Sequence, residues 1–191
     1  MNNHVFLDAD GVVLDFNRAA RHALRLAGYI VEEREPQIWD WYQPLGISDD
    51  QFWEAVHDLG ADFYNQIVKV YPWSGRLIRL LRSVGKVSFL TRLSKSSESS
   101  YGKLLRLERE FPGVPIITMS HDEKYLLAGP GRILIDDKNE NIDSFRNDAG
   151  TGIFWPQPWN RAGLTFYDGQ GNERLEYVRH QLTTNNYLCK G

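Results

Sequence analysis

Short apolar runs that end abruptly in polar residues recur along the chain. An apolar run of this length between turn signals is typical of a buried strand in a parallel sheet. The first run (His-Val-Phe-Leu) stops at Asp-Ala-Asp-Gly, and the fourth (Arg-Ile-Leu-Ile) stops at two aspartates. The pattern predicts strands over residues 4–7, 86–90, 115–119, 132–135 and 151–155.

Between these runs, apolar residues recur at spacings of three and four, which predicts helices. The predicted helices cover residues 15–26, 74–84, 96–111, 123–128 and 139–147. A further helix should begin at Ser48, because Ser48 and Gln51 have the spacing of a capping box, and Gly60 should end it. Alternating strands and helices predict an α/β fold, in which right-handed crossovers cover both faces of a parallel sheet.

Two segments depart from this alternation. Residues 16–72 are too many for an ordinary crossover, so we interpret them as a helical cap that is inserted after the first strand and contains a Trp-rich loop at 38–42. Residues 161–191 are predicted to hold a β-hairpin, which turns at 168–171, and a tail. The α/β core is predicted to consist of the remaining residues, 1–15 and 73–160.

Composition narrows the class of protein without identifying it. A chain of 191 residues fits one domain with a modest insertion, and 42 % hydrophobic with 25 % charged residues excludes a disordered chain. The net charge of −3 makes a broad nucleic-acid-binding surface unexpected. One cysteine, no long apolar run and no leader-like start predict a cytoplasmic protein without a membrane span. The sequence is compatible with a homodimer.

Polar residues follow three of the predicted strands. Asp8 and Asp10 follow the first, Thr91 the second, and Asp136 with Asp137 the fourth. Because ligands bind beyond the carboxyl ends of strands in open α/β sheets, we expect these side chains to share one site. Two carboxylates about 4 Å apart repel by about 4 kcal/mol, and a divalent cation relieves this repulsion. The alternative interpretation is that Asp10 belongs to a turn and Asp136 and Asp137 cap a helix.

These residues resemble, in order, the four motifs of the haloacid dehalogenase superfamily of phosphohydrolases. The matching segments are Phe6-Leu-Asp-Ala-Asp-Gly-Val-Val13, Phe89-Leu-Thr91, Lys124 and Leu134-Ile-Asp-Asp137. The resemblance covers residues 4–160 and implies a Rossmannoid, three-layer α/β fold with a small helical cap inserted after strand 1.

A narrower resemblance is to the 5′(3′)-deoxyribonucleotidases. It depends on the stretch from Asp8 to Phe16, on the Trp-rich cap and on Tyr71-Pro-Trp-Ser-Gly75. Arg92 departs from the pattern expected after the second-motif threonine.

The superfamily resemblance implies a role for each motif residue. Asp8 is the expected nucleophile, which forms an aspartyl-phosphate, and Asp10 the general acid and then base. Thr91 and Lys124 are expected to bind the phosphoryl group and complete the catalytic set. Asp8, the backbone carbonyl of Asp10 and Asp136 are expected to hold Mg²⁺, with Asp137 in support.

The remaining candidates are expected to bind substrate. Cap aromatics could stack a nucleobase or could form the cap's own core, and lysines after Thr91 could contact phosphate or simply be solvated. The substrate-binding candidates are Phe16, Trp39, Trp41, Arg92, Lys95 and Lys103.

The sequence therefore predicts a Mg²⁺-dependent phosphomonoesterase that acts on a small-molecule phosphate monoester, with a (deoxy)nucleoside monophosphate as the favoured substrate. The alternatives are a related hydrolase for a sugar phosphate or a nucleic-acid end, and a non-catalytic nucleotide-binding protein of the same fold. Retention of all the motif residues argues against the non-catalytic alternative.

Overall fold

The computed structural model describes residues 3–119, 123–160, 162 and 170–189. Five parallel strands form one sheet in the order β3-β2-β1-β4-β5. This arrangement confirms the predicted α/β class. The strands are β1 (His4–Leu7), β2 (Lys86–Arg92), β3 (Ile116–Met119), β4 (Arg132–Asp136) and β5 (Thr151–Phe154).

Helices cover both faces of the sheet and fill the segment between β1 and β2. The side chain of Asp15 accepts a hydrogen bond from the backbone N–H of Arg18 and begins the first helix. The capping box of Ser48 and Gln51 is present and confirms the predicted helix start. The α-helices are α1 (Phe16–Leu26), α2 (Asp49–His57), α3 (Ser74–Arg82), α4 (Ser97–Glu110), α5 (Asn139–Asn147) and α6 (Asn172–Thr184).

The central position of β1 decides where the site lies. Leu7 at the end of β1 is aligned with Phe89 on one neighbour and with Ile135 on the other. All three side chains are buried, which explains the apolar runs that predicted these strands. The carboxyl ends of β1, β2 and β4 therefore lie side by side, where a doubly wound sheet binds its ligands.

The inserted segment leaves and rejoins the core at neighbouring points. The backbone N–H of Asp15 donates to the carbonyl of Lys69, and that of Tyr71 donates to the carbonyl of Val13. The segment contains α1, a 3₁₀ helix (Gln43–Leu45), α2 and a π-helix (Phe63–Ile67). The division into a cap of 16–72 and a core stays a prediction.

The π-helix at the end of the inserted segment lies against α4. A Cβ atom added at Gly102 would lie 2.8 Å from the Cα of Ala61, closer than real Cβ atoms approach, so only glycine allows this contact. Arg106 on α4 donates to the carbonyl of Asn65 at 3.1 Å. This half of the inserted segment is therefore held on α4 at several points.

The predicted C-terminal hairpin is wrong in its second arm. Residues that were expected to form a strand after the turn instead begin α6, and the first arm, 164–167, lies outside the described residues. Leu175, Val178 and Leu182 recur at helical spacing and are all buried. Burial of this stripe against the core, rather than strand alternation, determines the local structure.

Among the described residues, no helix is long and apolar enough to cross a membrane.

Candidate functional site

A buried lysine connects the carboxylates at the ends of β1 and β4. The Nζ atom of Lys124 lies 2.7 Å from Oδ1 of Asp8 and 2.7 Å from Oδ2 of Asp136. Lys124 belongs to a 3₁₀ helix (Lys124–Leu127) that precedes β4, and its side chain is only 3 % exposed. Asp8 and Asp136 are far apart in sequence, but they lie close together because Asp8 directly follows β1 and β1 pairs with β4.

The two aspartates at the carboxyl end of β4, Asp136 and Asp137, have different surroundings. Asp136 accepts hydrogen bonds from the side chain of Asn141 at 3.0 Å and from the backbone N–H of Lys138 at 2.8 Å. Asp137 accepts one from the indole N–H of Trp159 at 3.1 Å, through Oδ2. Its Oδ1 is buried without a hydrogen-bond partner among the described residues.

The carboxylate of Asp137 occupies space that a side chain at Gly11 would fill. A Cβ added at Gly11 would lie 2.8 Å from Cγ of Asp137 and closer still to Oδ2, and the φ of Gly11 is +74°. Both observations require glycine directly after Asp10. The space taken by the Asp137 carboxylate therefore explains why the first motif has glycine at this position.

Burial and mutual repulsion raise the proton affinity of these acids. Burial raises the pKa of Asp136 to about 6, although the ammonium of Lys124 opposes the rise. Burial, with the charges of Asp136 and Asp8, raises the pKa of Asp137 well above its usual range. Burial alone would lower the pKa of Lys124, but Asp136 and Asp8 together raise it. The cluster carries excess negative charge that a cation would neutralise.

Asp10 faces a second set of partners. Its Oδ2 accepts a hydrogen bond from the hydroxyl of Tyr64 at 3.0 Å and lies 2.6 Å from Nζ of Lys103. Lys103 also donates to the carbonyl of Arg92 at 2.9 Å, at the end of β2. Burial raises the pKa of Asp10, and Lys103 and Tyr64 oppose the rise.

The residues at and after the end of β2 differ in exposure. Thr91 is 1 % exposed and lies two positions beyond Phe89, the partner of Leu7, so it is level with the residues after β1. Arg92 and Lys95 are exposed. Their expected contacts with substrate stay predictions.

The acidic cluster has the donor chemistry of a metal site. Asp8, Asp136 and Asp137 each place one carboxylate oxygen so that the three oxygens lie within 4.8 Å of one another. Carboxylate oxygens suit a hard divalent cation such as Mg²⁺. The unpartnered Oδ1 of Asp137 fits such a cation too, because a buried carboxylate oxygen requires a donor or an ion.

The cap aromatics separate into two groups. The ring of Phe16 is half-buried and has its centroid 5.9 Å from that of Trp53, which is 41 % exposed. Trp39 is 46 % exposed, and its ring lies 5.7 Å from Nζ of Lys138, next to the acidic cluster. Trp41 is also half-buried, but it donates its indole N–H to Asn17 at 3.0 Å and packs edge-on against Phe52.

Sequence reasoning missed the contacts that three side chains make with the acids of the site, and it missed Trp53 beside Phe16 in the cap. Asn141 has a weak local signal, because it lies in the first turn of the helix that follows the paired aspartates. Tyr64, Trp159 and Trp53 have no local signal: the first two reach the acids from elements distant in sequence, and Trp53 is one of several similar cap aromatics.

Comparison with solved structures places this arrangement of strands among known folds. A haloacid dehalogenase-like hydrolase from Xanthomonas campestris is 14 % identical, with a TM-score of 0.57 over 97 % of this chain and 94 % of that one. A haloacid dehalogenase-like hydrolase from Streptococcus pneumoniae is 16 % identical, with a TM-score of 0.57 over 94 % and 98 %. The hydrolase YfnB from Bacillus subtilis, bound to magnesium, is 15 % identical, with a TM-score of 0.59 over 95 % and 98 %.

No family model and no curated protein matches the sequence. At identities this low the solved structures establish the fold alone. The chain has the α/β fold of the haloacid dehalogenase-like hydrolases, as the motifs predicted.

Proposed function

We propose that this protein is a Mg²⁺-dependent phosphomonoesterase of the haloacid dehalogenase superfamily. The observation that carries the proposal is the meeting of Asp8, Lys124, Asp136 and Asp137 at the carboxyl edge of the sheet. A nucleophilic carboxylate, a buried cation beside it and further acids that suit a metal form the set needed to attack a phosphate monoester.

Asp8, Asp136 and Asp137 are the side chains that would hold Mg²⁺, together with the backbone carbonyl of Asp10. The fold neighbour from Bacillus subtilis was solved bound to magnesium, which supports this choice of ion. When bound, the ion would neutralise the carboxylates and stabilise charge on the phosphoryl oxygens.

The chain's own residues would divide the reaction between them. Asp8 attacks phosphorus and becomes an aspartyl-phosphate as the ester oxygen leaves. Asp10 protonates that leaving oxygen and then takes a proton from the water that hydrolyses the intermediate. Lys124 neutralises charge beside the nucleophile, and the hydroxyl of Thr91 donates to a phosphoryl oxygen.

The proposed substrate is a nucleoside monophosphate, with a deoxyribonucleotide favoured. Phe16 and Trp53 present adjacent, partly exposed rings in the cap, and a base stacked on such rings gains about 1–3 kcal/mol per contact. Trp39 offers a third exposed ring, near Lys138. Trp41 is half-buried like Phe16, but its indole N–H is bonded to Asn17 and its ring packs on Phe52. These contacts favour a role in the cap core, so Trp41 serves as the internal comparison.

A phosphatase screen tests the reaction class and the substrate together. We expect Mg²⁺-dependent hydrolysis of p-nitrophenyl phosphate and of 5′- or 3′-deoxynucleoside monophosphates. The screen should also include ribonucleotides and sugar phosphates. Absence of turnover of every phosphate ester with Mg²⁺ present would overturn the phosphatase proposal.

The ratio of kcat/KM for two substrates tests whether Phe16 and Trp53 form a slot that stacks the base. We expect Phe16→Ala and Trp53→Ala to lower kcat/KM for a deoxynucleoside monophosphate by about 5- to 150-fold, the equivalent of about 1–3 kcal/mol, while kcat/KM for p-nitrophenyl phosphate changes little. Trp41→Ala is the matched control: it should lower thermal stability and affect both substrates alike. An unchanged ratio in the first two variants would refute the slot.

A further inference from the structure

Asp10 is held by a tyrosine and a lysine that come from two different elements. Tyr64 lies in the π-helix (Phe63–Ile67) and Lys103 in α4, and both reach the same oxygen, Oδ2, at 3.0 Å and 2.6 Å. Lys103 is itself fixed by its hydrogen bond to the carbonyl of Arg92. The lysine therefore bridges the end of β2 and the carboxylate that follows β1.

We infer that Lys103 and Tyr64 are positioning residues, which act on the reaction through Asp10 and do not bind the substrate. This inference rests on the proposed function, in which Asp10 is the general acid and base. A carboxylate turns about its bond to Cβ, and two donors on one oxygen, one of them charged, fix that rotation. A proton-transfer group must be held within hydrogen-bond reach of the reacting oxygen.

Burial distinguishes this role from direct binding of phosphate. The side chain of Lys103 is 5 % exposed, whereas that of Asp10 is 27 % exposed. Lys103 is thus less accessible than Asp10, and its ammonium is held between Asp10, the Arg92 carbonyl and the ring of Tyr64 at 5.4 Å. The lysine predicted to contact substrate is engaged in holding the acid.

The close packing of the two elements keeps both donors in place. Ala61 approaches α4 at Gly102, the residue before Lys103, and Asn65, the residue after Tyr64, accepts a hydrogen bond from Arg106. Tyr64 and Lys103 are therefore each anchored by an adjacent contact between the π-helix segment and α4. The orientation of Asp10 depends on the seating of this part of the cap.

Two substrates with different leaving groups test the inference. p-Nitrophenolate leaves without a proton, but the alkoxide of ethyl phosphate needs one from Asp10. Both substrates give the same aspartyl-phosphate, which needs Asp10 for its hydrolysis. For Tyr64→Phe and Lys103→Met we expect kcat/KM for ethyl phosphate to fall by about 10- to 100-fold. With p-nitrophenyl phosphate, only hydrolysis of the intermediate needs Asp10, so kcat and KM should fall together. The ratio kcat/KM should stay within about twofold of the value for the unmodified protein.

Control variants and a double variant distinguish positioning of Asp10 from other roles of Tyr64 and Lys103. Tyr101→Phe, on the exposed face of α4, and Lys86→Met, at the opposite end of β2, should change neither substrate's parameters. In an Asp10→Asn background, Tyr64→Phe should have no further effect, since the group it positions is gone. Tyr64→Phe loses only a hydroxyl, so the test stands even if Lys103→Met fails to fold.

Three results would overturn the inference. A rise in KM with equal losses of kcat/KM on both substrates for Lys103→Met would show that it binds phosphate directly. Unchanged kinetics of Tyr64→Phe on ethyl phosphate would exclude positioning by the tyrosine. Absence of phosphatase activity in the unmodified protein would overturn the proposed function itself, whereas an active protein with either of the first two results overturns only the positioning role.

Discussion

Replacing Gly11 by alanine would push a methyl group against the carboxylate of Asp137. The added Cβ would lie 2.8 Å from Cγ of Asp137, whereas real Cβ atoms essentially never approach within 3.0 Å. Asp137 is buried and accepts a hydrogen bond from Trp159, so it has no solvent into which to move. We expect the substitution to displace this carboxylate and the loop that carries Asp10.

The expected loss of stability has two parts, and a comparison with a second glycine, Gly46, separates them. Alanine at a left-handed φ costs about 1–2 kcal/mol wherever it occurs. Overpacking a buried position adds about 1–3 kcal/mol. Gly46 has a φ of +77° and nothing within 4 Å of its added Cβ, so Gly46→Ala has only the first cost. Gly11→Ala should therefore lower the free energy of unfolding by about 2–5 kcal/mol.

Urea unfolding of the two variants measures the difference directly. In a double variant, Asp137→Ala should recover part of the loss in Gly11→Ala, because it removes the atoms that clash. In the proposed enzyme, Gly11→Ala should also raise the Mg²⁺ concentration for half-maximal activity by about 10- to 100-fold. Equal losses of stability in Gly11→Ala and Gly46→Ala would refute the steric argument.

Three further predictions concern the nucleophile, the metal and the C-terminal helix. Asp8→Asn should retain its fold by circular dichroism but lose more than about a hundredfold in kcat, or 2.7 kcal/mol; a smaller loss would contradict covalent catalysis. EDTA should remove activity and Mg²⁺ restore it, with Ca²⁺ a poor substitute; full activity after exhaustive chelation would exclude the metal site. Arg174 is buried and donates to the carbonyl of Pro156 at 2.7 Å and to Gln157 at 3.2 Å, so Arg174→Met should cost about 1–3 kcal/mol in urea unfolding. The exposed Arg179→Met should stay within about 0.5 kcal/mol, and equal losses in the two would show that the buried contacts contribute nothing.

The sheet and its acids were predictable because their signals are local. Each strand is a short apolar run, and the residue types just after the run identify its carboxyl end. Parallel pairing then brings Asp8 and Asp136 together without further information. The motif order supplied Lys124, whose contact with both acids has no pattern in the neighbouring sequence.

The features that were missed depend on tertiary contacts. The start of α6, Asn-Glu-Arg-Leu after Gly171, resembles a strand entering from a turn, and only the later spacing of Leu175, Val178 and Leu182 indicates a helix. Lys103 was assigned to substrate because it lies on the segment after Thr91, and the alternative was a solvated lysine. Its burial depends on Gly102, which lets a remote backbone approach, and no local pattern encodes that approach.

The contact between the cap and α4 restricts where this chain can diverge. Residues 61–67 are packed on α4 and include Tyr64, so substitutions there disturb the group that Asp10 depends on. Residues 28–47 contain a single short element of regular structure, Gln43–Leu45, and expose Trp39 near the site. Insertions and exchanges are tolerated best in such surface stretches. Substitutions within residues 28–47 can therefore change the substrate preference, in nature or in directed evolution, without disturbing proton transfer by Asp10.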